Sequence, residues 1–188
     1  MKPRTHDPLA LDVRRLCREG GALSGRFSLA ELGRFRESLW SGDDAPVPAD
    51  DGVPWTLEAG LRERRGAPPQ CVMTLSATTR ATVRCQRCLG PLQLPLALER
   101  RYAFADSEDE AAEADADNDD EDVLALPPRL DLRELLEDEL ILALPLVPRH
   151  DACPVPWTPP QNGLAEEEPE AHPFAALAAL RGGERSGR

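Results

Sequence analysis

The stretch Cys85-Gln86-Arg87-Cys88-Leu89-Gly90-Pro91 joins two segments in which apolar and polar residues alternate. Before it, the apolar positions are Cys71, Met73, Leu75, Ala77, Ala81 and Val83. After it, they are Leu92, Leu94, Leu96, Leu98, Tyr102 and Phe104. Alternation with a period of two is typical of strands that bury one face. The sequence therefore predicts an antiparallel hairpin with two cysteines at its tip.

Two other segments have the periodicity of amphipathic helices. Residues 28–40 begin with the capping-box sequence Ser28-Leu29-Ala30-Glu31, and residues 131–144 begin at an N-cap aspartate, Asp131, and end before Pro145. Because one-faced helices and half-apolar strands bury their surfaces against each other, we predict an α+β fold. Its antiparallel sheet would be covered by these two main helices. The predicted strands are 8–17, 53–65, 70–84, 91–104 and a short one at 123–126.

Charge is distributed unevenly along the 188 residues, whose net charge is −12. Residues 1–105 carry 16 basic and 12 acidic residues, whereas residues 106–122 alone carry eleven acidic residues and no basic one. Such a segment cannot bury a core, so we predict a disordered acidic loop. It is either a solubilising insertion or a mimic of a polyanion that binds a basic partner.

The length and composition predict one α+β domain over residues 1–153, with the acidic loop inserted in it. Residues 154–188 are rich in proline and glutamate and are predicted to form a flexible C-terminal tail. Within the tail, the apolar spacing predicts a short helix at 173–180. A helix this short is not stable alone, so it would dock on its own domain or on a partner.

The N-terminal sequence MKPRTHDPLALDVRR has no apolar run of the signal-peptide kind, and no segment approaches the length of a membrane span. We therefore expect a cytoplasmic protein with no membrane partner. Thiols stay reduced in the cytosol. The five cysteines are accordingly expected to bind metal or to remain free thiols rather than form structural disulfides.

A Cys₃His set of metal ligands can be assembled from two short motifs, Cys85-x-x-Cys88 and His150-x-x-Cys153. Four such ligands would close a tetrahedral zinc site with no open position, and the zinc would therefore be structural rather than catalytic. A buried pair of free thiols and a redox-active pair are the alternatives. Cys17 and Cys71 have no partner pattern and are predicted to be small core residues.

Nothing else in the sequence predicts catalysis or a small-molecule substrate, so we expect no enzyme. The carboxylates Glu134, Glu137, Asp138 and Glu139 are predicted to form the solvated outer face of the helix over 131–144. A globally acidic chain repels a phosphate backbone. Any direct contact with RNA would use the arginines of the N-terminal part: Arg62, Arg64, Arg65, Arg84 and Arg87.

Several of these pieces together resemble the YceD family, the large ribosomal RNA subunit accumulation proteins. They are Cys85-Gln86-Arg87-Cys88-Leu89, the acidic loop, the run DLRELLEDELILALPLVPRH at 131–150, Cys153, and Pro173-Phe174 with Leu177. The family often has asparagine before the Pro-Phe pair, where this chain has His172. That difference concerns the cap of the tail helix.

The resemblance implies a bacterial cytosolic protein required for the synthesis, processing or stability of 23S ribosomal RNA, with no established catalytic activity. Because the chain is acidic, we expect it to act through a basic protein partner among the large-subunit assembly components, or on precursor rRNA. A zinc-stapled module that binds RNA itself and a thiol-based redox protein are the alternative functions.

Overall fold

The structure is a computed structural model that describes residues 6–42, 52–116, 118 and 120–154. All of these residues lie in one compact unit, Met1–Val155. The predicted tail helix at 173–180 lies outside the described residues, as does the rest of the tail beyond Pro154. None of the helices formed by the described residues is long and apolar enough to cross a membrane.

Five strands form one sheet, and their order in the sheet is their order in the chain. They are β1 (Gly21–Ser28), β2 (Gly52–Arg64), β3 (Ala67–Arg84), β4 (Pro91–Ala105) and β5 (Asp122–Ala125). The predicted hairpin is confirmed as β3 and β4, which pair antiparallel from Val72↔Ala103 to Arg84↔Pro91. The short fifth strand instead runs parallel to β4, opposite residues 102–105.

Four short helices accompany the sheet: α1 (Val13–Glu19), α2 (Gly33–Ser38), α3 (Glu108–Ala116) and α4 (Leu132–Leu142). Apolar residues of α1, α2 and α4 share one core cluster with one face of the sheet, including Leu16, Phe35, Leu57, Leu75, Leu136 and Leu140. A smaller cluster under α3 joins Ala111 to Ala103 and Val123. Since Ala103 belongs to the opposite set of alternating positions, α3 lies on the other face of the sheet.

The prediction of an antiparallel sheet covered by two main helices is wrong. The sheet is mixed, because β5 is parallel to β4. The helix predicted over 28–40 is reduced to the six residues of α2, since Ser28 is the last residue of β1 and pairs with Gly52. The Glu31 carboxylate does accept hydrogen bonds from the Ser28 backbone N–H (2.8 Å) and Oγ (2.7 Å), but in the turn between β1 and α2.

The strand predicted over 8–17 is also wrong, because the second half of this segment, from Val13 on, belongs to α1. Asp12 caps the helix by accepting a hydrogen bond from the Arg15 backbone N–H at 2.9 Å. The buried residues Val13, Leu16 and Cys17 are spaced three and four apart, which is the helical period.

The acidic segment 106–122 is more ordered than the prediction of a disordered loop allows. Its described residues form α3 and the first residue of β5. Acidic residues occupy the first turn of α3, where the helix dipole favours negative charge. Ion pairs hold both ends of the segment: Arg14 with Asp106 at 2.8 Å, and Arg62 with Glu121 at 2.6 Å.

Helix α4 carries two buried carboxylates, so the prediction of a wholly solvated acidic face is wrong for Glu137 and Glu139. Glu137 accepts hydrogen bonds from the backbone N–H groups of Arg34 (2.7 Å) and Phe35 (3.1 Å) and thereby caps α2. Glu139 accepts hydrogen bonds from Tyr102 Oη and Arg100 Nε, both at 2.8 Å. Helix α4 is thus joined to α2 and to β4 by buried polar contacts.

Candidate metal centre

Cys85 and Cys88 lie at the tip of the β3–β4 hairpin in a tight, strained turn. The backbone N–H of Leu89 donates to Cys85 O, and the N–H of Cys85 donates to Gly90 O, both at 2.9 Å. Leu89 has a φ of 61°, in the left-handed region that costs a residue with a Cβ about 1–2 kcal/mol. This turn directs both thiols towards one point, and backbone strain of this kind is concentrated at functional sites.

The chain returns to this tip after α4. The backbone N–H of Gln86 donates to Pro148 O at 2.8 Å, which places the following turn beside the cysteines. The structure thereby brings His150 and Cys153 to Cys85 and Cys88, although more than sixty residues separate the two halves. One ligand atom from each of the four residues lies within 4.8 Å of all the others.

The distances between these atoms fit a tetrahedral metal site. They are 3.9 Å from Cys85 Sγ to Cys153 Sγ, 3.5 Å from Cys88 Sγ to His150 Nδ1, and 4.0 Å from Cys153 Sγ to His150 Nδ1. A tetrahedral zinc with bonds of about 2.3 Å to sulfur and 2.0 Å to nitrogen separates its ligand atoms by about 3.5–3.8 Å. The four residues therefore could hold a metal ion with little movement.

The imidazole of His150 is oriented as a metal ligand requires. Its Nε2 lies 3.1 Å from the carbonyl oxygen of Pro91, and this nitrogen must carry the proton in order to donate to that oxygen. The unprotonated Nδ1 then faces the cysteine sulfurs. A backbone acceptor for the second ring nitrogen is the usual support of a metal-ligating histidine.

The thiols are crowded in a way that favours a bound cation. Burial opposes ionisation of Cys85, but backbone hydrogen bonds to Cys88, His150 and Arg87 outweigh it and lower the pKa of the thiol to about 5. A backbone hydrogen bond to Gly90 favours the Cys88 thiolate, yet burial and the neighbouring Cys153 and Cys85 raise the pKa of Cys88 overall. Several thiolates in one place repel each other unless a positive charge lies among them.

Arg87 supplies one such charge, in a role that sequence reasoning missed. Its guanidinium donates from Nε to Cys153 Sγ at 3.0 Å, and from Nη2 to the carbonyls of His150 (2.9 Å) and Asp151 (3.3 Å). The side chain thus holds the second half of the cluster against the hairpin. No local pattern could have revealed this, because its partners are at least 63 positions away.

The two remaining cysteines lie elsewhere. Cys71 precedes Cys85 by fourteen positions on β3, which is about 46 Å of extended strand. Cys17 is buried, and burial together with the neighbouring Cys71 thiol raises the pKa of Cys17 to about 12. Cys17 is therefore a protonated core residue as predicted, and Cys71 packs half-buried against the same core.

The five arginines predicted for RNA contact do not form one surface. Arg62 lies in the part of β2 that pairs with Gln70, again about 46 Å along β3 from Arg84. Arg62 is held by Glu121 and Gln70, and Arg64 donates to the Pro68 carbonyl. Of the five, only Arg84 and Arg87 lie near the hairpin tip.

Fold and site together define a small protein with a mixed five-stranded sheet and four short helices in its described part, in which a cysteine–histidine cluster joins a hairpin tip to a distant turn. The chain belongs to the YceD family, described as large ribosomal RNA subunit accumulation protein YceD, whose match covers residues 73–181. The matched region includes all four residues of the cluster. No solved structure matches this chain.

Proposed function

We propose that this protein is a non-enzymatic cytoplasmic factor that promotes the synthesis, processing or stability of 23S rRNA by binding a basic protein partner. Membership of a family of large ribosomal RNA subunit accumulation proteins supports the connection with this RNA. The partner would be one of the large-subunit assembly components. Helix α3 is the observation that supports binding to a basic protein.

The acidic side chains of α3 are presented in a fixed position. Glu108, Asp109, Glu110 and Glu113 are exposed, and none of them has a basic partner among the residues that the structure describes. Ala111 anchors the helix to the sheet, and the two ion pairs hold the ends of the segment. A cluster of negative charges held in one place attracts a basic partner and steers its approach.

Neutralising α3 tests this proposal. Cells that lack the parent protein would be complemented with the quadruple variant Glu108→Gln, Asp109→Asn, Glu110→Gln, Glu113→Gln, and the ratio of 23S to 16S rRNA would be measured. We expect that ratio to fall towards the level of cells without the protein. The matched control makes the same change in net charge in the tail, at Glu166, Glu167, Glu168 and Glu170, and should complement fully. Full complementation by the α3 variant would rule out α3 as the contact.

We further propose that Cys85, Cys88, His150 and Cys153 hold one structural zinc. Cysteine and histidine in a tetrahedral set are the ligands that zinc prefers, and four protein ligands leave no position for a reacting water. Three thiolates and a zinc ion carry one net negative charge, which the Arg87 guanidinium balances. A closed, neutral centre of this kind stabilises a fold and is not suited to catalysis.

Metal content measured on purified variants tests the zinc proposal. The parent should contain about one zinc per chain, whereas Cys88→Ser and Cys153→Ser should lose it together with thermal stability. Cys71→Ser is the matched control, because this cysteine lies outside the cluster, and it should retain the metal. A parent protein free of metal, with a Cys85 thiol that exchanges readily with disulfides, would instead favour the thiol-based redox function.

A further inference from the structure

Among the residues that the structure describes, the sheet face opposite the core is exposed at the end that leads to the hairpin tip. Arg80, Thr82 and Arg84 alternate along β3 on this face, and Arg80 and Arg84 are exposed. Their partners in the register on β4 are Pro95, Gln93 and Pro91. These positions carry cations, a hydroxyl and an amide, with no carboxylate among them.

Trp40 completes this surface and fixes one of its cations. Its backbone N–H donates to Thr82 O at 2.7 Å, which places it beside β3. Its ring stacks with the Arg84 guanidinium, whose central carbon lies 4.8 Å from the ring centroid. A cation–π contact of this kind orders a long side chain, and ordering it in advance lowers the entropy cost of binding an anion.

The turn that carries His150 adds a further cation at the same end. Pro91, the partner of Arg84 in the register, accepts the hydrogen bond from His150 Nε2, so the turn that carries the exposed Arg149 lies against the start of β4. Together, residues 79–98 and 144–154 contain four arginines and one aspartate. These two described segments therefore carry a net positive charge, although the whole chain has a charge of −12.

Large apolar side chains lie exposed around the same tip. Leu89 is 57% exposed, Val147 59% and Leu146 99%. Exposed apolar residues beside cations suit a ligand that offers both apolar faces and negative charge. The bases and phosphates of single-stranded RNA do so, and proteins commonly bind them with a basic surface beside apolar side chains.

We propose that the hairpin end binds single-stranded RNA through its phosphates, with Arg80 and Arg84 on the exposed sheet face and Arg149 on the turn that carries His150. Arg80 and Arg84 are four positions apart on one strand, about 13 Å, so that each reaches a different phosphate. The inference deepens the proposed function and rests on it for the choice of RNA. It assigns RNA to the hairpin end and leaves the basic protein partner to α3.

Binding of a fluorescent single-stranded RNA oligonucleotide to the zinc-loaded full chain, followed by anisotropy across a salt series, tests this proposal. The triple variant Arg80→Gln, Arg84→Gln, Arg149→Gln should bind at least tenfold more weakly than the parent at low salt. The slope of log K against log salt should become shallower by about 2, because each phosphate contact on a single strand contributes about 0.7. Arg87 is left intact because it contacts the metal cluster.

The matched control removes three arginines towards the other end of the sheet, with Arg14→Gln, Arg18→Gln and Arg101→Gln. Equal weakening in both triple variants would overturn the proposal, because net charge and not this surface would then set the affinity. Displacement by poly-glutamate as effective as that by unlabelled RNA of equal charge would also overturn it, in favour of an acidic protein ligand. The neutralised α3 variant should bind RNA at least as tightly as the parent, so a failure of the protein-partner proposal remains distinguishable.

Discussion

The two ends of the sheet place a loop against the strands in different ways. At the hairpin end, Cys85 and Cys88 meet the turn that follows α4, and the surroundings are basic and partly apolar. At the opposite end, the acidic segment around α3 is held by the buried Ala111, two ion pairs and a hydrogen bond from the Val123 backbone N–H to Asp115. The first attachment depends on ligands that converge on one point, and the second on contacts that salt and acid weaken.

This difference indicates how each end can take part in binding. A metal ion held by the four residues would fix the backbone around it firmly, and the hairpin end would then hold its arginines in a set geometry. The acidic end needs only to present negative charge, for which approximate positions suffice. We therefore expect the hairpin end to be the rigid part of the molecule when metal is bound, and the acidic end to be the part that opens more easily.

Removing the metal should have the largest effect, and only at one end. A chelator should accelerate hydrogen exchange of the Cys85, Gln86 and Leu89 amides, which are hydrogen-bonded within the cluster region. We expect the exchange rates of these amides to rise more than about a hundredfold, because structural zinc contributes roughly 10 kcal/mol to the stability of small domains. The amides of Ala111 and Val123 at the acidic end should change far less. Equal acceleration at both ends, measured by mass spectrometry or NMR, would show that the ends do not differ as proposed.

Loss of the buried carboxylate of Glu137 should be the next largest effect and should lower the stability of the whole domain. Glu137→Ala leaves two backbone N–H groups of α2 without an acceptor, and we expect a loss of about 2–4 kcal/mol in urea unfolding. Asp138→Ala is the matched control, because Asp138 pairs with the same Arg34 but is 53% exposed. It should cost under about 1 kcal/mol. Similar losses in both variants would contradict the capping role, and zinc content should stay unchanged in each.

The ion pair between Arg62 and Glu121 should have the smallest effect, and that effect should depend on pH. Arg62 lowers the pKa of Glu121, so the pair contributes stability above the unfolded-state pKa of this carboxyl and loses it as pH falls through the lower folded-state value. Glu121→Gln should cost about 0.5–1 kcal/mol near neutral pH and nothing in acid. Glu99→Gln is the control, because Glu99 is exposed, and this substitution should cost less stability. A loss of stability in Glu121→Gln that does not depend on pH would contradict this role of the ion pair.

Much of the hairpin end could be predicted because its signals are local. Alternation defined β3 and β4, Asp131 and Pro145 bounded α4, and ligand type and spacing pointed to the four cluster residues. The chemistry of Cys and His in pairs two residues apart is visible in sequence alone.

The features that the sequence did not predict depend on contacts between residues that are far apart in the chain. The Glu31 carboxylate does accept the Ser28 backbone N–H as in a capping box, yet pairing of Ser28 with Gly52 keeps Ser28 in a strand. Glu137 looked like a solvated carboxylate because the amides that it caps lie about a hundred positions away. The acidic segment looked disordered because charge dominates its composition, whereas the buried Ala111, two distant arginines and the Val123 backbone N–H hold it in place.

The cluster also closes a long loop of the chain, which has a consequence for how the protein can vary. Cys88 and His150 are 62 positions apart, and the acidic segment lies entirely between them. In polymer terms, closing such a loop costs an entropy that grows only with the logarithm of its length. Lengthening the acidic segment by seventeen residues would add about 0.2 kcal/mol to that cost. The charge-bearing insert can therefore grow or shrink during evolution almost without weakening the centre that ties its two flanks together.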